Sequence, residues 1–303
     1  MSASSPARTE TGTATAIGFV AVLLWALLAL LTASTGSVPP FQLVAMSFTV
    51  ASVAGLGYWI ATGADIAARL RLPPMAWLLG TGGLFGYHFF YFLALRNAPP
   101  VEASLIAYLW PLLIVLMSAL LPGAAGGLRW WHLAGAGLGL VGAGLLVTGG
   151  RGVTFQSQYM LGYGAALVCA LTWSAYSVLS RLFGEVRSDA VTGFCMATAV
   201  LAALCHLALE ETVWPAAAGE WLAVLALGVG PVGLAFYVWD HGVKRGDIRV
   251  LGAASYASPL LSTLVLVAFG MAQAGWVLGV ACLAITAGAV LAARDMLFAR
   301  RAR

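Results

Sequence analysis

The chain has 303 residues, 61% of them hydrophobic, with mean hydropathy +0.94 and only 9% charged side chains, 15 Lys and Arg against 11 Asp and Glu. A soluble domain carries ~25% charged residues, and so few charges cannot solvate a compact surface of this size, so a water-soluble globular protein is excluded. The net charge of +4 does not point to nucleic acid, because the basic residues fall in ones, twos and threes between apolar blocks, which is membrane topology.

A bilayer span takes ~20 apolar residues, and runs and breakers divide the chain into ten. After a tail of residues 1–16, segments are expected at 17–35, 42–62, 75–95, 101–121 and 131–149, forming a first five-helix repeat over 17–149. Pro39-Pro40, the stretch Asp65 to Pro74, Pro99-Pro100 and Pro122-Gly123 mark the breaks. A linker at 150–158 leads to segments at 159–181, 190–209, 221–243, 250–269 and 275–297, a second five-helix repeat over 159–297, followed by a basic tail at 298–303. Arg8 ahead of the first run also fits a signal peptide, but the repeat requires this helix as a span. With the N-terminus cytoplasmic, thirteen basic residues fall inside and only Arg96 and Arg151 outside, so both termini are placed in the cytoplasm.

The duplication appears when the sequence is shifted by 148 residues. Trp25 then meets Trp173, Gly36 meets Gly184, Gly80 and Gly82 meet Gly228 and Gly230, Tyr108 meets Tyr256, and Pro111 meets Pro259, without a gap. Five spans per unit is an odd number, so the second copy enters the membrane upside down. The expected fold is an all-α membrane protein of ten transmembrane helices in two inverted five-helix repeats, an arrangement of transporters that bind substrate near the midplane.

Polar and aromatic side chains concentrate in the third and fourth segments and their partners, the eighth and ninth. In Gly86-Tyr87-His88-Phe89-Phe90-Tyr91, Tyr87 and Tyr91 lie one helical turn apart with His88 beside them. At bilayer depth such groups need a protein partner or a watery cavity, so they either line a pathway or form a ligand-free buried cluster. Pro111 follows Tyr108-Leu109-Trp110, and Pro259 follows Tyr256-Ala257-Ser258. Each proline removes one backbone donor and frees the carbonyl four residues earlier, Ala107 or Ser255. The resulting bends either gate a path or serve packing alone. Trp25 and Trp173 sit deep in their runs, whereas Trp59, Trp130, Trp131 and Trp221 near span ends fit the interfacial belt.

Other features read as structural. Gly137-Leu138-Gly139-Leu140-Val141-Gly142 matches a dinucleotide fingerprint but lies inside a span, where its spacing, with Gly135, fits close helix packing. Asp240 and Lys244 read as an ion pair at a helix end with His241 beside it, His132 and His206 as boundary residues, and Glu102 as a carboxylate at a helix N-terminus. Cys169, Cys195, Cys205 and Cys282 have no metal-binding spacing and read as small buried hydrophobes. No span carries Arg or Lys near its middle, which disfavours phosphorylated cargo, and no paired carboxylates suggest a sodium site or proton relay. An uncharged or zwitterionic small molecule is the expected cargo, the lipid bilayer is the other partner, and no cofactor or metal is called for.

On the duplicated unit, Leu24-Trp25 and Ala107-Tyr108-Leu109-Trp110-Pro111, the chain resembles the drug/metabolite transporter superfamily in its ten-helix EamA-type branch, over residues 15 to 298. Tyr108-Leu109-Trp110-Pro111 with an aromatic third helix is most similar to the YddG-like aromatic amino acid exporters of bacterial inner membranes. The resemblance implies amino-acid export through a central cavity built by the first, third, fourth, sixth, eighth and ninth helices. The matching positions are Trp25, Tyr87, His88, Tyr91, Tyr108, Trp110, Trp173, Tyr237, Ser255, Tyr256 and Ser258, with Pro111 and Pro259 as bending points. A monomeric exporter working by alternating access is the expectation. The alternatives are a broad multidrug or metabolite exporter, or an intramembrane enzyme, for which the chain offers no HExxH, Cys/His pair or facing Asp pair.

Overall fold

A computed structural model of the chain describes residues 6–121, 128–273 and 275–295. Among the described residues nine helices are long and apolar enough to cross a membrane: α1 Glu10–Ala33, α2 Pro40–Ala61, α3 Pro74–Asn97, α4 Pro100–Leu120, α5 Trp130–Thr148, α6 Ser157–Phe183, α7 Ser188–Leu209, α8 Ala218–Arg245 and α9 Ile248–Ala268. A shorter apolar helix, α10 Trp276–Ala292, follows. The described residues contain no strand, and nine of the ten elements start within three residues of the expected positions; the first instead begins at Pro6, so that part of the expected tail at 1–16 is helical, because no breaker precedes Ile17.

Local chemistry sets the helix starts. α2, α3 and α4 each open on the second proline of a Pro-Pro pair, Pro40, Pro74 and Pro100, while the first proline is extended, with ψ of 152°, 139° and 138°. Proline fits the first helical position because its missing N–H would be unpaired there, and it forces its predecessor out of the helical region. Asp247 starts α9 by accepting from the N–H groups of Arg249 and Val250. Gly149 ends α5 in the left-handed region at φ 63°, which a side chain would disfavour.

The most extensive helix contacts join α1 with α8, α3 with α6, α2 with α7 and α5 with α10. Exchange of the two repeats maps the first pair onto the second and each of the others onto itself, as a two-fold relation demands. Repeat-equivalent helices run antiparallel: Gly55 of α2 meets Thr192 near the start of α7, whereas Phe41 at the start of α2 meets Glu210 just past the end of α7. Gly135 of α5 likewise meets Ala292 of α10, and Gly142 meets Ala281. The repeats are therefore inverted.

Small residues set the closest seams. A Cβ on Gly18 of α1 would lie 2.9 Å from the Gly242 Cα of α8, and one on Gly288 of α10 would overlap the Gly135 carbonyl of α5. The glycine run of α5 is thus a packing face, with Gly139 accommodating the ring of Tyr256. Two expectations are corrected. Trp59 is fully buried, because nearness to a span's end does not set which way the ring turns, while Trp130 is exposed as a belt residue would be. Cys205 and Cys282 are half-buried, unlike the sealed Cys169 and Cys195.

Replacing Gly242 by Val should force α1 and α8 apart at a site with backbone on the far side. The expected loss is ~1–3 kcal/mol, the range for overpacked interiors, read as a lower unfolding midpoint of the detergent-solubilised protein; Gly57→Val, in open space, should leave that midpoint unchanged.

Candidate functional site

Four helices lose their regularity at mid-span. α1 breaks into Pro6–Trp25 and Leu28–Ala33, α4 into Pro100–Ala107 and Trp110–Met117, and α9 into Ile248–Ala254 and Ala257–Ala268. α8 carries a π-helical turn at Gly230–Leu234 around Pro231. The breaks in α4 and α9 are repeat-equivalent and both precede a proline. There the chain tightens to i→i+3 bonds, Leu109 N–H to the Ile106 carbonyl at 3.0 Å and Ser258 N–H to the Ser255 carbonyl at 3.0 Å. The Ser255 carbonyl that Pro259 deprives of a donor is thus taken up within its own helix.

Freed groups elsewhere are satisfied between helices. The Pro231 carbonyl accepts from Trp25 Nε1 at 3.1 Å, joining the break in α1 to the π-turn in α8. The Trp110 carbonyl accepts from the Ser174 hydroxyl of α6 at 2.9 Å, and Trp239 Nε1 donates to Ser177 Oγ at 3.1 Å.

These bonds surround a cluster of four indoles. Trp25, Trp110, Trp173 and Trp239, from α1, α4, α6 and α8, form all six possible pairs, with centroids 5.1 to 6.3 Å apart. Aromatic pairs at such separations are worth ~0.5–1.5 kcal/mol each beyond burial. Phe236 stacks on Phe48 and contacts Trp25 and Trp173, Tyr176 contacts Trp173, and Tyr87 lies 5.8 Å from Trp173. Tyr87 stacks parallel on Tyr91 at 6.1 Å, and His88 packs edge-on against Phe48 with Nδ1 2.7 Å from the Leu84 carbonyl.

Along the interior face of α3 burial gives way to access. Leu84 is sealed, whereas Tyr87, His88 and Tyr91 are half-buried. Five polar groups around the indoles are uncommitted: the hydroxyls of Tyr87 and Tyr108, His88 Nε2, and the indole N–H groups of Trp110 and Trp173. None has a hydrogen-bond partner among the described residues, and none belongs to the sealed, unpartnered atoms. Each therefore keeps some accessible surface. The Tyr91 hydroxyl lies 3.4 Å from Ser104 Oγ.

The remaining sequence candidates are not brought to this cluster equally. Tyr237 turns to the α2–α7 seam, its hydroxyl 2.7 Å from that of Thr192. Ser255 Oγ is committed to the Leu251 carbonyl of its own helix at 2.7 Å. Tyr256 is fully buried in a second cluster with Val115, Leu260 and Ile285, away from the indoles. Ser258, repeat mate of Trp110, is half-buried with an uncommitted hydroxyl. Sequence reasoning passed over Trp239 and Phe236, which the 148-residue shift would have found opposite Tyr91 and His88.

Ten helices in inverted halves, broken at mid-span around uncommitted polar groups, define a secondary transporter. The chain belongs to the EamA-like transporter family, whose model matches residues 13–148 and 160–294, one match in each repeat. It is 55% identical to the aromatic amino acid exporter YddG of Ancylobacter novellus, over 95% of this chain and 98% of that protein. The aromatic amino acid exporter YddG of Escherichia coli K12 is 24% identical, over 82% of this chain and 86% of its own length. A crystal structure of a protein 54% identical in sequence superposes with a TM-score of 0.89, covering 96% of this chain and 99% of the other.

Replacing Trp25 by Phe keeps a ring in the cluster but strands the Pro231 carbonyl. That should cost ~1–3 kcal/mol in the unfolding midpoint in detergent beyond what Trp173→Phe costs, since Trp173 makes no such bond.

Proposed function

We propose that the chain exports amino acids, aromatic ones above all and other neutral ones with them, across a bacterial inner membrane by alternating access, as a monomer with both termini in the cytoplasm. The observation that carries this reading is the set of uncommitted polar groups on Tyr87, His88, Tyr108, Trp110 and Trp173 within an aromatic wall at the helix breaks. Aromatic side chains of the substrate pack against the indoles and Tyr87. Its amino and carboxylate groups meet His88 and the hydroxyls, with Ser258 opposite Trp110 in the repeat. Pro111 and Pro259 let α4 and α9 bend as one repeat rearranges against the other. The names of the relatives support the substrate class, and the excess of basic residues on the N-terminal face supports the orientation.

Reconstituted into proteoliposomes, the protein should move radiolabelled phenylalanine and tryptophan. Failure with both of these and with small neutral amino acids ends the proposal, and stronger competition by hydrophobic cations than by amino acids would assign a multidrug exporter. Trp110→Ala and His88→Ala should each lower the transport rate at least ~10-fold, the effect of losing ~1.4 kcal/mol of recognition, with membrane yield unchanged. Wild-type rates in both would place the site elsewhere.

A further inference from the structure

Away from the indoles, charged and aromatic groups gather where the start of α5 meets the end of α10. Arg129, the cap of α5, and Arg294, just past α10, each hold the guanidinium carbon 5.0 Å from the centre of the Trp131 ring. The two charges therefore lie no more than 10 Å apart, about one screening length at ~0.1 M salt, so their fields add. Asp295 is the carboxylate beside them, and both its oxygens are engaged: Oδ1 lies 3.7 Å from Arg129 Nη1, while Oδ2 accepts from Trp131 Nε1 at 3.2 Å with His132 Nε2 at 3.8 Å. Arg294 has no carboxylate partner among the described residues, and residues 122–127 and 296–303 contain no Asp or Glu that could supply one.

Below the arginines the surface turns apolar. Trp130, Leu133 and Val141 of α5 and Leu283 and Val290 of α10 are exposed. Leu133 follows Arg129 by one helical turn, and Val290 precedes Arg294 by the same spacing. A pair of unanswered positive charges thus sits at the head of a strip suited to acyl chains, with the exposed Trp130 marking the depth of the interface.

The fold does not require these arginines. The two-fold relation maps the α5–α10 seam onto itself, exchanging the contact of Gly135 with Gly288 for that of Gly142 with Ala281. It therefore builds the same scaffold at the opposite side of the membrane, where Trp276 takes the place of Trp130. There Gly275 replaces Arg129, Val277 replaces Trp131 and Thr148 replaces Arg294. Arg151, beyond Thr148, makes no cation–π contact among the described residues. One scaffold carries an interfacial tryptophan at both ends and arginines on a ring at only one, which is a difference between leaflets and not a demand of packing.

We propose that this end of the α5–α10 seam binds an anionic phospholipid of the cytoplasmic leaflet, Arg129 and Arg294 receiving the headgroup phosphate and the acyl chains lying along Leu133 and Val290. Guanidinium suits phosphate because its planar donors meet two oxygens at once, and the cytoplasmic leaflet is the anionic one. The proposal rests on the orientation given above and is independent of the substrate.

The test is native mass spectrometry of the purified full-length protein with phosphatidylglycerol and phosphatidylcholine of matched chains. Phosphatidylglycerol should be retained at least ~10-fold more strongly, since each basic residue near an anionic surface adds to attraction. Arg129→Gln with Arg294→Gln should lower that preference to near unity, and each substitution alone to an intermediate value, which decides the matter should the double variant fail to fold. Arg71→Gln with Arg187→Gln removes two exposed arginines elsewhere on the same face and should keep the wild-type preference. Equal retention of the two lipids, equal loss in both double variants, or displacement of phosphatidylglycerol by inorganic phosphate at the same concentration overturns the site. A C-terminal tag should be reached by antibody only in inside-out vesicles. Access from the outside overturns the leaflet together with the orientation, whereas a missing lipid preference with the tag inside overturns the lipid site alone.

Discussion

A helix that stops being helical inside hydrocarbon must find new partners for its freed backbone groups, because lipid supplies none. In this protein the bond from Trp25 Nε1 to the Pro231 carbonyl meets that demand across the repeat boundary. One end is the residue at which α1 breaks, and the other is the proline of the π-turn in α8. With Trp110 and Ser174 joining α4 to α6 and Trp239 and Ser177 joining α8 to α6, four helices are registered by bonds that only their irregular segments and indoles could make. The aromatic cluster is the apolar counterpart of this network, and the uncommitted groups of Tyr87, His88 and Tyr108 stand at its edge.

The two repeats share a plan but do not make equal contributions. Trp25 and Trp173 correspond, yet α1 breaks after its tryptophan while α6 runs on to Leu179 as a regular helix. α8 has a π-turn where α3 is unbroken. Trp110 faces Ser258 and His88 faces Phe236 under the same shift. An inverted pair with identical halves would offer the same surface to a ligand from both sides of the membrane; here four of the five uncommitted groups around the indoles, all but Trp173, lie in the first repeat and the buried ion pair of Asp240 and Lys244 in the second.

What could be read in the sequence was whatever the duplication repeats in kind. Trp25 with Trp173, Tyr108 with Tyr256 and Pro111 with Pro259 gave away the inversion and the breaks in α4 and α9, though not those in α1 and α8, because rare residues in one register survive a composition dominated by Leu, Ala and Gly. The direction of a side chain was not written there. Tyr256 matches Tyr108 in the repeat yet is sealed against Gly139, and Tyr237 turns to Thr192 rather than to the tryptophans. Trp239 was hidden for the opposite reason, since its mate is Tyr91 and no identity marks it. Asp240 and Lys244 looked like a helix end in water because the backbone that covers them, around Val186, is a connection whose path no periodicity predicts.

The burial of Lys244 has a consequence for labelling chemistry. It is the single lysine of the 303 residues, and its amine is held beneath the connection between α6 and α7 with 6% of its side chain accessible. The protein therefore carries one side-chain amine as a native reporter: the pace at which an acylating reagent reaches Lys244, followed in the peptide that contains it so that any α-amine is counted apart, measures how often this end of the molecule opens to water.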